Sequence, residues 1–432
     1  MKKIRRIISF IPPKVQLFLK WLLFYIAIIV LIVTVQGLNY RYLSNSQQLS
    51  NFLTPWYSFR AFLIDGTNPY GEEMRESIAN FANTTYGVTY TAKNENLFLR
   101  TPLYGLVFFL PFLFVQDFMV AASWWMTLQL LCLVFVAISG VSLIKQIRRR
   151  NFFYFAAGVS VILVAYPSFL AVTGGSSIAI AFFFLFAAMV AIKRQADELA
   201  GVLLALMTMF PFWGWLTMLF LLVWSIRQKR LALTGWFLGT IILLGFAVAL
   251  LDAGWFVGYL RMWFVYFGQY GFGLLPEVLR EILPSSFLLP QFVFGLALLI
   301  LLVEWVLAKF SEYTPFLWTF HLTLVLESLL TLWLKPINLL PVATTLLFLL
   351  IIWEDRRKSG GRWIGVVILS LTLAYPWLLN RLPDITSFLF VFPIAVFLAV
   401  NLYWVRWWLF RNVKLWYHEM YTLEHPGENY EL

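Results

Sequence analysis

Apolar and polar positions fall in long blocks along this chain. Apolar runs occupy about 17–36, 102–116, 118–144, 152–172, 178–193, 200–226, 231–251, 287–308, 314–334, 339–353, 363–380 and 385–409. A helix needs about 20 apolar residues to cross a hydrocarbon core of ~30 Å. The pattern therefore predicts an all-α polytopic membrane protein with about 12 transmembrane segments (range 10–13), forming a single integral membrane domain over 1–432. The runs 102–116, 178–193 and 339–353 are short for a span, which makes them candidates for half-helices or re-entrant elements held by neighbours.

Two polar interruptions are long enough for water-facing chemistry: a first outer loop, 37–100, and a second, 252–286. In the first, Gly66, Pro69-Tyr70-Gly71 and Gly87 punctuate what reads as two short helices joined by a turn. Phe52, Trp56, Phe59, Ala61, Phe62 and Leu63 cover much of the first helix, which predicts an interfacial helix with its rings at headgroup level. The stretch Trp255 to Gly273 in the second loop has the same aromatic, glycine-punctuated character. Both loops are expected to lie on lipid.

Charge orients the pattern. Cytoplasmic loops carry excess Lys and Arg, and twelve crossings from a cytoplasmic N-terminus put Arg227–Arg230, Glu354–Lys358 and the tail 410–432 inside, in a cell membrane. The same count strands Lys145–Arg150 and Lys193-Arg194 outside, so either an earlier segment does not cross or those cations have a local task. The start, MKKIRR before the run from Leu17 to Val35, reads as an uncleaved anchor.

Composition narrows the chemistry. The chain is 61% hydrophobic and only 12% charged, and its net charge of +11 sits in short clusters at the ends of apolar runs, where it meets anionic lipid; nucleic acid is not an expected partner. Cys132 stands alone, and His321, His418 and His425 are scattered, so neither a disulfide framework nor a divalent metal site is indicated.

The first loop holds five acids (Asp65, Glu72, Glu73, Glu76 and Glu95) and cations including Arg60, Lys93 and Arg100. Carboxylates that take a proton and cations that hold a departing phosphate are the groups needed for transfer of a sugar from a lipid phosphate; the same residues also read as solvated loop charges. Arg100 stands before Pro102 at the start of an apolar helix, open to a phosphate contact or to interfacial snorkelling. The turn Leu334–Pro341 carries Lys335 and Asn338, either into a groove above the bilayer or simply between two helices. Thr173–Ile178, TGGSSI, lacks a P-loop lysine and reads as a connector. Glu327 lies in an apolar run, where an ionised acid costs ~2.5–3.5 kcal/mol; a substrate or proton site and a structural hydrogen bond are both open.

Asn51, Trp56, Arg60, FLIDG ending at Gly66 and NPY ending at Tyr70, followed by RTPLY from Arg100 to Tyr104, resemble the first outer loop and second membrane helix of family-87 glycosyltransferases. The closing Pro393–Trp408 is similar to the last helix of bacterial relatives. These are enzymes of the C-type glycosyltransferase fold and include polyprenyl-phosphate-mannose-dependent mannosyltransferases. The resemblance implies a membrane hexosyltransferase of the cell envelope that takes a sugar from a polyprenyl-phosphate donor, with no further cofactor, and passes it to a glycolipid or glycan acceptor on the outer side.

By the same spacing the family's loop acid falls on Asn51, and an amide cannot take a proton as a carboxylate can. The expected catalytic pair is therefore Asp65, standing in as base, with Asn51; Arg60, Tyr70, Arg100, Tyr104, Lys335 and Asn338 are the expected substrate contacts. A catalytically impaired member that binds lipid-linked glycan is the first alternative. A transporter or flippase is the second, disfavoured because no internal repeat is visible and the polar residues concentrate in outer loops.

Overall fold

The computed structural model describes residues 13–45, 51–87, 89–144, 152–211, 213–271, 273–282, 288–308, 313–383 and 386–410. The leading cations, the link 145–151 and the tail 411–432 lie outside the described residues. Among those described the chain is helical without a strand, a lone bridge pairing Gly273 with Trp333.

α1 (Pro13–Asn45) is followed by the two short helices expected in the first loop, α2 (Leu53–Asp65) and α3 (Glu72–Tyr86). Each stops where a glycine takes left-handed backbone: Gly66 at φ 68° and Gly87 at φ 67°. Glu72 and Glu73 occupy the first turn of α3, facing the positive end of its dipole. A short α4 (Leu106–Leu113) leads to α5 (Phe118–Leu143), whose N-cap Asp117 accepts from Met119 N (2.7 Å) and Val120 N (3.3 Å).

The next run breaks into α6 (Phe152–Val164) and α7 (Tyr166–Thr173), bent by 63° where Pro167 in the first turn of α7 cannot donate to the preceding turn. Then come α8 (Ile178–Lys193), α9 (Asp197–Met207), α10 (Trp215–Arg227), α11 (Leu231–Ala249), α12 (Trp255–Tyr270), α13 (Leu275–Ile282), α14 (Leu289–Leu307) and α15 (Tyr313–Leu330). The chain ends its described part with α16 (Val342–Leu379) and α17 (Ser387–Phe410).

α16 is not one rod. A Cβ placed on Gly365 would lie 3.2 Å from Leu350 Cα, whereas fifteen residues of straight helix span about 22 Å. The helix therefore reverses between Glu354 and Gly360, which leaves two antiparallel apolar segments: Pro336–Glu354, begun in the turn before α16, and Gly360–Leu379. α9 crosses α11 with backbones nearly touching at Gly201, whose added Cβ would meet Leu233 O at 2.3 Å and Phe237 N at 2.9 Å.

Among the described residues, seven segments are long and apolar enough to cross a membrane, eight if α6 and α7 form one bent span. Large apolar side chains lie bare along α1, α11 and α14, among them Leu23, Leu31, Ile242, Phe246 and Phe292, as a lipid solvent requires. This is a multi-pass membrane protein. The count falls below the expected twelve because several apolar runs form short helices: α8 and α10 have 16 and 13 residues, about 24 and 20 Å.

Contacts sort the helix ends into two groups. At one end Lys193 donates to Ser142 O, Arg230 pairs with Asp197, Arg227 donates to Trp305 O (2.9 Å), Arg406 binds Glu304 (3.1 Å) and Arg356 donates to Trp408 O (3.3 Å). This is the basic end. The first loop, α12 and the turn after α15 gather at the other.

α4 starts and finishes at that second end. Trp56 Nε1 donates to Phe112 O (3.1 Å), Arg60 Nη1 donates to Val115 O (3.2 Å), and the Phe118 ring lies 5.4 Å from Trp56. The run 102–116 thus does not traverse the bundle. With that run held at one end, α5 runs to the basic end, where Lys193 donates to Ser142 O and Tyr313 Oη donates to Leu143 O (2.5 Å); the 200–226 run returns on itself as α9 and α10, so that Asp197 and Arg227 both lie at that end.

The first loop also departs from expectation. Phe52, Trp56 and Phe59 are buried, and Phe52 stacks on Trp125 at 4.6 Å, so the aromatic face packs on protein instead of lipid. Aromatic area serves either solvent, and here α4 and α5 present matching rings. α12 does keep an open apolar face, with Phe256, Val257, Leu260 and Phe264 exposed.

Candidate functional site

Three pieces of chain build a cavity of about 190 Å³ at the end opposite the basic clusters. The first is the stretch before α4. Asn94 Oδ1 accepts from Asn96 N (3.0 Å), closing the 3-10 turn Glu95–Leu97, and Thr54 Oγ1 donates to Asn96 O (2.6 Å), tying that turn to α2. Leu97, Phe98 and Leu99 are buried, so Arg100 leaves the turn at a fixed place.

The second piece is the turn after α15. Leu334 N donates to Gly273 O (2.9 Å) and Asn338 Nδ2 donates to Trp333 O (2.5 Å), which holds Lys335 in extended backbone. The third is the link between α7 and α8, where Asn51 N donates to Gly174 O (2.9 Å) and Trp125 Nε1 donates to Gly175 O (3.1 Å). Ser176 and Ser177 stand there at the start of α8, and Ser177 makes no side-chain capping bond. Phe109 and Trp125, stacked at 5.1 Å, and Trp213 and Trp333 add aromatic wall.

Glu95 joins the cations. Its Oε1 accepts from Arg100 Nη2 (3.0 Å), Lys335 Nζ (3.1 Å) and Tyr266 Oη (2.9 Å). Partial burial pushes its carboxyl up, but Lys335 and Arg100 outweigh that and, with the bonds from Lys335 and Tyr266, hold it below the usual glutamate range. The Arg100 guanidinium also lies 5.0 Å from the Tyr266 ring and 5.4 Å from the Trp333 ring, and Tyr259 Oη donates to Arg100 O (3.1 Å). α12 is thus a brace across the cation pair.

Of the residues expected from sequence, Asn51, Arg100 and Lys335 line this cavity. Five others do not. Asp65 is the exposed last residue of α2 and is not in the wall, so the expected base is not with the cations. Arg60 is spent on Val115 O and the Trp56 face. Tyr70 is buried behind the wall, donating to Thr101 O (3.1 Å); burial raises its phenol well above the ordinary value, which makes it a donor and not a base. Tyr104 Oη lies 3.0 Å from Thr208 Oγ1, and Asn338 holds the turn that carries Lys335.

Two features of the site carry only weak signals in the sequence. Glu95 stood as one of five loop acids; its spacing from Arg100 was the available signal, while the Lys335 contact spans 240 residues of chain. TGGSSI, read as a connector, is cavity wall; serines directly before an apolar run mark a helix start.

The intramembrane acids have protein partners. Glu327 Oε1 accepts from Leu216 N (2.9 Å), and its Oε2 accepts from Thr217 N (3.1 Å) and Thr217 Oγ1 (2.6 Å), capping α10 from α15. His321 Nδ1 lies 3.1 Å from Thr345 Oγ1, and Glu304 binds Tyr403 and Arg406. No family model matches the chain, and no curated protein is significantly similar to it.

Proposed function

We propose that the chain is a membrane glycosyltransferase that takes a sugar from a polyprenyl-phosphate donor and passes it to a lipid or glycan acceptor. The observation that carries the reading is the convergence of Arg100 and Lys335, from elements far apart in sequence, on one aromatic-walled cavity with Asn51 and the serine-bearing start of α8. Cations fixed by neighbours favour a departing phosphate without reorganising. Aromatic faces suit the apolar side of a sugar ring, and about 190 Å³ suits a group of monosaccharide size. In this reading the site and fold are those of a C-type glycosyltransferase, the resemblance drawn from residues 51–104.

The basic end is then cytoplasmic by the positive-inside rule, both termini lie there, and the cavity opens on the outer side of the cell membrane. Membranes holding the overexpressed chain should move labelled sugar from polyprenyl phosphate to acceptor. The double variant Arg100→Ala, Lys335→Ala should lose that transfer at equal protein level, and undiminished transfer would refute the reading.

One observation favours the impaired alternative. No Asp or Glu is among the residues lining the cavity, and Asn51 holds the wall position where the resemblance calls for an acid. Asn51→Asp separates the two: an impaired binder gains transfer with a carboxylate there, whereas an active enzyme does not need it.

A further inference from the structure

We propose that Glu95 is the resident anion of a phosphoryl-binding seat. Its carboxylate occupies the place that a ligand's phosphate takes between Arg100 and Lys335. The inference rests on the reading of the cavity as a lipid-phosphate site, and adds the way that site is kept and opened.

The geometry is that of a bound oxyanion. One oxygen collects three donors at 2.9–3.1 Å from three separate elements: Arg100 before α4, Lys335 after α15 and Tyr266 on α12. A guanidinium, an ammonium and a phenol hydroxyl around one oxygen are the donors that a phosphate mono- or diester takes. Both cations also line the cavity, so they are shared between the carboxylate on one side and the open volume on the other.

The contact is built to exchange. The side chains of Arg100, Glu95 and Lys335 retain 29%, 32% and 45% of their exposure, which keeps water in reach and the pairs weak. The backbone below Glu95 is fixed by Asn94 and by Thr54, so the carboxylate can leave by rotating its own side chain while the turn stays. The cations have other anchors meanwhile: Arg100 remains against the Tyr266 and Trp333 rings, and Asn338 keeps the Lys335 turn. A phosphate entering the seat therefore finds the cations in place and displaces only Glu95. Until it does, the carboxylate neutralises a site that would otherwise collect any passing anion.

Exchange predicts a gain of affinity when the resident anion is removed, whereas a purely structural Glu95 predicts a loss. Binding of polyprenyl phosphate and of inorganic phosphate to the full chain in lipid nanodiscs is measured for wild type, Glu95→Gln and Lys335→Ala. Glu95→Gln should tighten phosphate binding about five- to thirty-fold, the scale of releasing one or two partly exposed ion pairs, and Lys335→Ala should weaken it. Glu95→Asp, whose shorter side chain draws the carboxylate back from the cations while every phosphate donor stays, should tighten binding by a smaller factor and serves where Glu95→Gln lowers the melting temperature.

Unchanged or weaker binding in both Glu95→Gln and Glu95→Asp overturns the proposal. Should polyprenyl phosphate bind wild type without a gain in these variants, the exchange fails while the lipid-phosphate reading stands. If only inorganic phosphate binds and shows the gain, the seat stands and the lipid donor is refuted. Binding of neither probe to any variant overturns both.

Discussion

Glu327→Gln tests what an ionisable residue inside the bundle is for. The carboxylate takes two backbone N–H groups and one hydroxyl at the start of α10, and Gly214 leads in at φ 71° without a capping side chain of its own. Helix starts leave amides unpaired, and a carboxylate there also meets the positive end of the dipole. Glutamine keeps one acceptor but turns an NH₂ toward Thr217, so two of the three donors lose their partner. Each orphaned buried donor costs about 1–3 kcal/mol; the hydroxyl can rotate away, which leaves one orphaned N–H and a net loss of about 2 kcal/mol. At about 2.1 cal/mol/K per residue over 432 residues, that is a fall of about 2 °C in melting temperature. Thermal unfolding in detergent reads it directly. A Glu327→Gln protein that melts with wild type would mean that the carboxylate does not hold α10, and loss of activity at unchanged melting would move Glu327 to a chemical role.

Other perturbations separate the parts of the argument. Gly201→Ala should cost about 1–3 kcal/mol, because its methyl group meets the backbone of Leu233 and Phe237 and the helices must part; Gly239→Ala, with nothing within 4 Å, should leave melting unchanged or slightly raised in the same assay. Asp65→Ala should leave sugar transfer intact, since Asp65 is not among the residues that line the cavity, and a loss at equal protein level would put the site elsewhere. The carboxyl of Glu95 is held below its unfolded value, so its stabilising contribution is fully present above the ordinary glutamate pKa of about 4.3 and fades as pH falls through the lower folded value. The melting difference between wild type and Glu95→Gln should therefore stay constant from about pH 6 to 8 and close only in acid; a difference that changes near neutral pH would refute the assignment.

The apolar blocks were legible because burial in lipid leaves a mark on every residue of a span, and most of the helices follow them. Whether a block crosses is another matter. The run 102–116 is as apolar as its neighbours, and what keeps α4 at one end is a pair of contacts, Trp56 to Phe112 and Arg60 to Val115, made across more than fifty residues. The cations left stranded outside by a twelve-crossing count were the signal that one block did not cross. Phe52 and Phe59 misled for a related reason: hydropathy reports that a ring leaves water, not whether its new neighbour is a lipid chain or Trp125.

The acids show where energetics locates a residue and where it does not. A carboxylate in the bundle is costly, so Glu327 had to have partners, and the sequence alone justified looking for them. A carboxylate in a wet loop costs almost nothing wherever it stands. Asp65 and Glu95 were therefore equivalent in sequence, and the loop acids could be ranked only by resemblance. What distinguishes Glu95 is its partnership with Lys335 and Tyr266, brought to it by the turn after α15 and by α12. Arg100 and Lys335 were easier to select because helix starts and tight turns narrow the directions in which a side chain can point. Telling Glu95 from Asp65 needed the one relation that local pattern does not encode, namely which distant cation the acid meets.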